Sequence, residues 1–287
     1  MKTKILLLVA LFSITFFVGC STNESTDAAA SSKAITTDDA IANSEIDATV
    51  DDISIIAEDQ FSVQQGMSSK TSGPVKSILP LCATITSVST NDTFTRTIDF
   101  GADTCTLPNG NTVKGKIIIS FSKNFLAPSR TISYKLEGFY HNGKLIEGNK
   151  TITYELKITN LLAAAHPVST HSVEAKITFP DGKVYSRIGT RVREMTEGFD
   201  TFANWEDNVF VVWGYNITTF PNGDKYTFTI TTPLRIAMSC KMPFPVKGIV
   251  TIVKNGTEAT LNYGNGDCDK LANLFINGVT KEIVLRK

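Results

Sequence analysis

The residues of this 287-residue chain that could do chemistry are few, and they start with three histidines, His141, His166 and His171. His166 and His171 flank Pro167-Val168-Ser169-Thr170, which reads as a loop, with Glu174 nearby. A metal centre needs three or four converging ligands, and this set falls short, so no metal is expected. His141 adjoins Asn142-Gly143 and is expected to face solvent. Calcium takes several oxygens from turns, and Asn262, Asn265, Asp267 and Asp269 surround Cys268 while Asp99 and Asp103 surround Cys105. Asp and Asn also favour turns for local hydrogen-bonding reasons, which accounts for both groups without an ion. Glu206 and Asp207, beside Trp205, form a carboxylate pair of the kind glycoside hydrolysis uses. There is no Gly-x-Ser-x-Gly, and neither a Walker loop nor a Gly-x-Gly-x-x-Gly follows a strand. The expectation is a chain without catalytic residues or cofactor.

One cluster stands apart. Residues 199–228 hold both tryptophans of the chain and seven further aromatic rings. Within the strand that starts near 209, Phe210 and Val212 point one way, while Val209, Val211, Trp213 and Tyr215 point the other. A strand apolar on both faces is covered on both sides. Trp205, Phe210, Trp213 and Tyr215 are therefore either core or the wall of a site for an apolar ligand or glycan.

The elements that must position these residues are of two kinds. Ala42, Ile46, Val50, Ile53, Ala57 and Phe61 recur at helical spacing, which predicts an amphipathic helix over 37–62, capped by Thr37, with Asp38 and Asp39 at its positive end. Residues 63–77, rich in Gly, Ser and Thr, read as a linker. From 78 to 287 the period becomes two. Asn109-Gly110, Asn142-Gly143, Asp181-Gly182, Asn222-Gly223, Asn255-Gly256 and Asn277-Gly278 are hairpin signals separating β-branched and aromatic runs. This predicts an all-β domain of about twelve to fourteen strands. With no second helical pattern, parallel crossovers are excluded. So many strands in one sheet tend to curl or split. The expected form is a curved antiparallel meander, rolled but not fully closed, with the helix on its apolar face; the alternative is a two-sheet β-sandwich.

Charge and cysteines add two constraints. Residues 34–69 contain eight carboxylates and no Lys or Arg, whereas 70–287 contain 25 basic and 18 acidic residues. Opposite charge on adjacent segments favours docking of one on the other. The overall balance gives no basic surplus for nucleic acid. A repeat relates Thr97-Ile98-Asp99-Phe100-Gly101-x-x-x-Cys105 to Thr260-Leu261-Asn262-Tyr263-Gly264-x-x-x-Cys268, each preceded by a hairpin that begins after a cysteine, Cys82 or Cys240. Of three possible pairings the repeat favours Cys82–Cys105 and Cys240–Cys268.

The N-terminus has a cationic start, Lys2 and Lys4, then an apolar run from Ile5 to Gly19. Fifteen residues are too few to cross a hydrocarbon core of roughly 30 Å untilted, so the run reads as the core of a signal peptide, residues 1–19. It ends in Phe17-Val18-Gly19-Cys20, which resembles the lipobox of bacterial lipoproteins, in the looser form found in the Bacteroidetes group, with Phe17 where Leu is usual. The resemblance implies cleavage before Cys20, lipidation of its sulfur and amine, and a membrane anchor. Two or three chains anchor stably where one is marginal. Residues 20–36 then form a lipidated tether. Ser21 in place of Asp favours the outer membrane, by analogy with enterobacterial sorting. Cys20→Ser is expected to release the chain from membranes; lipid labelling that persists in the variant would contradict the anchor.

The pattern over most of 78–287 also resembles uncharacterised β-rich lipoproteins of Bacteroidetes and Flavobacteria. It does so through Asp99-Phe100-Gly101 to Cys105, Gly115-Lys116-Ile117, Glu147-Gly148 and Gly264-Asn265-Gly266-Asp267-Cys268-Asp269. That resemblance implies fold and location but no activity. The leading expectation is a non-enzymatic cell-envelope lipoprotein, a binding or structural component held at the outer membrane by Cys20, with a protein or glycan partner. The alternatives are a carrier or sensor of an apolar ligand, with the helix plugging a half-barrel cavity, and a polymer hydrolase. An open cavity lined by the 199–228 aromatics favours the carrier. Carboxylates about 5–9.5 Å apart in a groove favour the hydrolase.

Overall fold

The computed structural model describes residues 34–68, 77–201 and 204–286. The signal peptide, Cys20, nearly all of the tether, residues 69–76 of the expected linker and Phe202 lie outside the described residues.

A single helix, α1 (Thr37–Ser68), is followed by fourteen strands. In chain order these are β1 (Thr84–Ser89), β2 (Thr93–Asp99), β3 (Cys105–Thr106), β4 (Thr112–Ser122), β5 (Ser129–His141), β6 (Lys144–Lys157) and β7 (His166–Thr178). They continue as β8 (Val184–Glu197), β9 (Val209–Thr219), β10 (Lys225–Ala237), β11 (Lys247–Lys254), β12 (Thr257–Asn265), β13 (Leu271–Ile276) and β14 (Val279–Val284). They form one antiparallel meander in which only β3 stands off the path, paired to β4. β1 and β14 do not pair with each other, so the sheet is rolled but not closed. One sheet, not two, replaces the sandwich alternative.

The turns follow from local chemistry. Asn142-Gly143, Asn255-Gly256 and Asn277-Gly278 each have both residues at positive φ and make two-residue hairpins. Leu107-Pro108-Asn109-Gly110, Phe179-Pro180-Asp181-Gly182 and Phe220-Pro221-Asn222-Gly223 are a second, recurring type. Proline sets its own φ, the next side chain accepts a hydrogen bond two residues on, and glycine takes the positive φ. Breaks in register along β4, β5, β10 and β11 bend the strands inward. At one break Gly115 sits at φ 86°, and a Cβ there would lie 2.0 Å from the carbonyl oxygen of Gly138, so no other residue fits.

The helix departs from expectation in three ways. It runs to Ser68, six residues past 62. Its cap is Thr36, not Thr37: the Thr36 hydroxyl accepts from Asp39 N at 3.2 Å while Thr36 N donates to Asp39 at 2.9 Å, a reciprocal box. It is also enclosed all round and does not lie on the sheet by one face. Between Thr37 and Met67 only Asp38 and Met67 are exposed. Ile46, Val50, Ile53, Ala57 and Phe61 are buried as their spacing predicts, but so are Asn43, Asp47, Thr49, Asp52 and Gln60. The sheet's inner face carries the charges that make this affordable.

Disulfides join Cys82 to Cys105 and Cys240 to Cys268, closing loops of 23 and 28 residues. Each contributes roughly 3 kcal/mol by restricting the unfolded chain.

Candidate binding cleft

Strand parity builds the charged lining around the helix. Arg187, Arg191 and Arg193 alternate on β8 toward the interior and are all buried. Across six strand residues they span about 20 Å at ~3.3 Å per residue. Asp47, Asp51 and Glu58 lie along one side of α1, eleven residues covering about 16 Å at ~1.5 Å each. The two rows match. Asp47 accepts from Arg187 Nη1 and from Arg191 Nη2 (2.7 Å), Arg191 Nη1 stands 3.5 Å from Asp51, and Arg193 Nη2 donates to Glu58. With its amide turned oxygen-inward, Asn216 accepts from Arg191 Nε at 2.9 Å. Further along, Lys144 pairs with Glu45 at 3.0 Å, Lys150 Nζ donates to Ser54, and Tyr226 donates to Asp39 at 3.0 Å.

Protonation follows from this geometry. Burial alone would raise the Asp47 carboxyl, but the Arg187 and Arg191 guanidiniums carry it below the usual carboxylate range. Glu58 behaves likewise: burial opposes ionisation, and Arg193, with His171, outweighs it. Burial pushes His171 down to about 3, helped by the nearby Lys150 and Arg193 charges, so the ring is neutral at neutral pH. Burial lowers Lys150 to about 7.

The histidines are placed differently from expectation. His141 is buried, not exposed: it shares the inward parity of Phe139 on β5. Its Nε2 lies 2.8 Å from Asp52 and its Nδ1 2.9 Å from Thr49 Oγ1. Thr49, His141 and Asp52 thus stand in the order of a nucleophile, a base and its orienter. Thr49 is fully buried, however, and its hydroxyl donates to the Glu45 carbonyl at 2.9 Å, which leaves it no path to a substrate. His166 and His171 lie on β7 itself, not on a loop, and their odd separation puts them on opposite faces. His171 meets Glu58 inside, with Nε2 3.1 Å from Oε1. His166 Nε2 meets Glu194 at 2.7 Å under the loop that follows β8. Among the described residues no three His, Cys, Asp or Glu side chains converge as a metal site.

That loop makes the cleft. His166, Glu194 and Thr159 pair beneath it, and the His166 and Phe199 rings are 5.9 Å apart. Phe199 and Trp205 are thereby held over the C-terminal half of α1. Between loop, helix and sheet lies a cleft of about 860 Å³, including space open to solvent at its mouth. Ile55 and Val63 of α1, Tyr154 of β6, Met195 of β8, Phe210 of β9 and Met238 give it an apolar wall, with Phe199 and Trp205 on the loop side. Ser62 of α1 lies on the lining, and Glu58, Ser169 and Arg193 form its polar base.

Of the four aromatic candidates, the structure brings Trp205 and Phe210 together here. Trp213 packs, half-buried, against the main core, and Tyr215 is 48 % exposed. The outer face of β9 is covered only at its start, where Val209 meets Ala237 and Val246; Tyr215 lies beyond that cover. Glu206 and Asp207 do not converge on the cleft: Glu206 pairs with Lys241 at 3.2 Å and Asp207 accepts from Thr201 at 2.8 Å. The carboxylates that do line it are committed elsewhere, Glu58 to Arg193 and Asp59 to Ser77, Gln60 and the Ile78 N–H. The acids near the cysteines cap turns. Asp99 accepts from Gly101 N, Asn262 from Gly264 N and Asp269 from Leu271 N, each at 2.9 Å.

Sequence reasoning missed the base of the cleft, Arg193, Glu58 and His171. The signal was present in the period-two run Arg187-x-Gly189-x-Arg191-x-Arg193 set against acids at helical spacing. No family model matches the chain, and no curated protein or solved structure matches it.

Proposed function

We propose that the chain is a non-enzymatic, lipid-anchored cell-envelope protein that binds a small, largely apolar ligand in the cleft beside α1. The observation that carries this reading is the cleft itself. Its volume falls in the range of small-molecule sites, ~300–1,000 Å³, and its wall is aromatic and aliphatic with a few polar groups at one end, as such sites are. The Phe199 and Trp205 loop is braced by buried pairs, so the cavity is preformed. Anchoring rests on Cys20 and the run before it, and the tether lets the domain work at a distance from the bilayer. Among the described residues no helix is long and apolar enough to cross a membrane.

The neutral apolar dye N-phenyl-1-naphthylamine is expected to bind the mature domain with one-to-one stoichiometry. Ser62→Trp places a bulky ring on the lining and is expected to weaken that binding at least tenfold while leaving the melting temperature within a few degrees. Unchanged dye affinity in a folded Ser62→Trp chain would remove the cleft from the account.

A further inference from the structure

The base of the cleft holds an unused donor. Arg193 is 3 % exposed, donates through Nη2 to Glu58, and rests over the Phe210 ring at 5.0 Å, yet its Nε and Nη1 have no hydrogen-bond partner. Buried N–H groups of a guanidinium without acceptors are costly, and each such group calls for an occupant the protein does not itself supply. Both unpartnered nitrogens belong to a side chain that lines the cleft.

We infer that the cleft takes a singly charged amphiphile, an aliphatic chain ending in a carboxylate, with the carboxylate accepting from Arg193 Nε and Nη1 and the chain lying along Met195, Phe210 and Trp205. This rests on the ligand-binding reading above and adds the head group. A carboxylate suits the donors because it accepts several N–H bonds at once, and charge-assisted bonds are the strong ones. A single charge suits the surroundings. Glu58 already takes one side of the guanidinium, and His171 is neutral, so a doubly charged phosphate monoester would meet Glu58 with less compensation. A twelve-carbon chain fits within the cleft volume.

The test is displacement of bound N-phenyl-1-naphthylamine by dodecanoate and by 1-dodecanol, below their micelle and solubility limits. Dodecanoate is expected to displace the dye at a concentration at least about tenfold lower than dodecanol does, which corresponds to one charge-assisted hydrogen bond. In the double variant Arg193→Gln with Glu58→Gln, which strands neither charge, the two are expected to compete equally while the dye still binds. Equal displacement in the wild-type chain overturns the head-group assignment and leaves the apolar cleft standing. Acid preference that persists in the double variant places the head elsewhere and also overturns it. Absence of dye binding in the wild-type chain overturns both readings. Because the wild-type comparison decides on its own, a double variant that fails to fold does not shield the proposal.

Discussion

Asp47→Ala is expected to cost the fold about 3–5 kcal/mol, the range for removing one partner from a buried charge group. Asp47 is 6 % exposed and accepts from two guanidiniums, Arg187 and Arg191, and from Asn43 Nδ2 at 3.3 Å. Alanine leaves both cations buried, with Asp51 the nearest remaining carboxylate, 3.5 Å from Arg191. Domains carry only about 5–15 kcal/mol in total, so the loss is a large part of the whole. At ~2–4 °C per kcal/mol for a domain of this size, the melting temperature should fall by about 6–20 °C. The companion variant separates charge from packing. Asp47→Leu with Arg187→Met and Arg191→Met removes the whole group, and such exchanges are neutral or stabilising by about 1–4 kcal/mol. Calorimetry or denaturant titration of both variants reads the result. A loss below about 1 kcal/mol for Asp47→Ala would mean that the acidic helix is not held by this row of arginines.

Lys150→Met should do the reverse, and by an amount that depends on pH. Burial lowers the folded Lys150 to about 7, against 10.5 in the unfolded chain, with Asp51 only partly opposing the shift. Between those values the unfolded chain holds one proton more than the folded one, so stability rises with pH by about 1.4 kcal/mol per unit. Below pH 7 the penalty is present in full, on the order of a few kcal/mol. Above about 10.5 it is gone. Methionine removes the titration at similar volume, and Ser54 still donates to the Val50 carbonyl at 2.6 Å. The variant should therefore be the more stable by a few kcal/mol at pH 6, with the gap closing toward pH 10. The shifts of Glu58 and His171 act at lower pH in the same sense, both costing stability on acidification, and they cancel in the comparison. A pH-independent difference between the two chains would contradict a folded Lys150 near 7.

Periodic features were legible and three-dimensional ones were not. The Asn-Gly turns, the change of period near 78 and the helical spacing of Ile46, Val50, Ile53 and Phe61 each encode their structure within a few residues, so the single helix and the meander could be read directly. The opposite charges of the helical segment and the β domain pointed to docking, and the pairs Asp47–Arg187 and Glu58–Arg193 give it atoms. What misled was treating polarity as exposure. His141 was judged from the Asn-Gly turn beside it, although its parity with Phe139 places it inside. Arg187, Arg191 and Arg193 read as a solvated face until the helix supplies their partners. The end of α1 was missed because Val63 to Ser68 lack a stop signal beyond Gly66. The cleft could not be read at all, since it depends on a loop after β8 returning over a helix some 140 residues earlier in the chain.

The central claim is that an apolar ligand occupies the space beside Trp205, and Trp205 itself can report it. The chain has two tryptophans, so Trp213→Phe leaves Trp205 as the sole donor. On titration with N-phenyl-1-naphthylamine, energy transfer should quench Trp205 emission and saturate at one equivalent of dye. Emission that stays unchanged while dye binds, or that declines without saturating, would contradict a ligand site in this cleft.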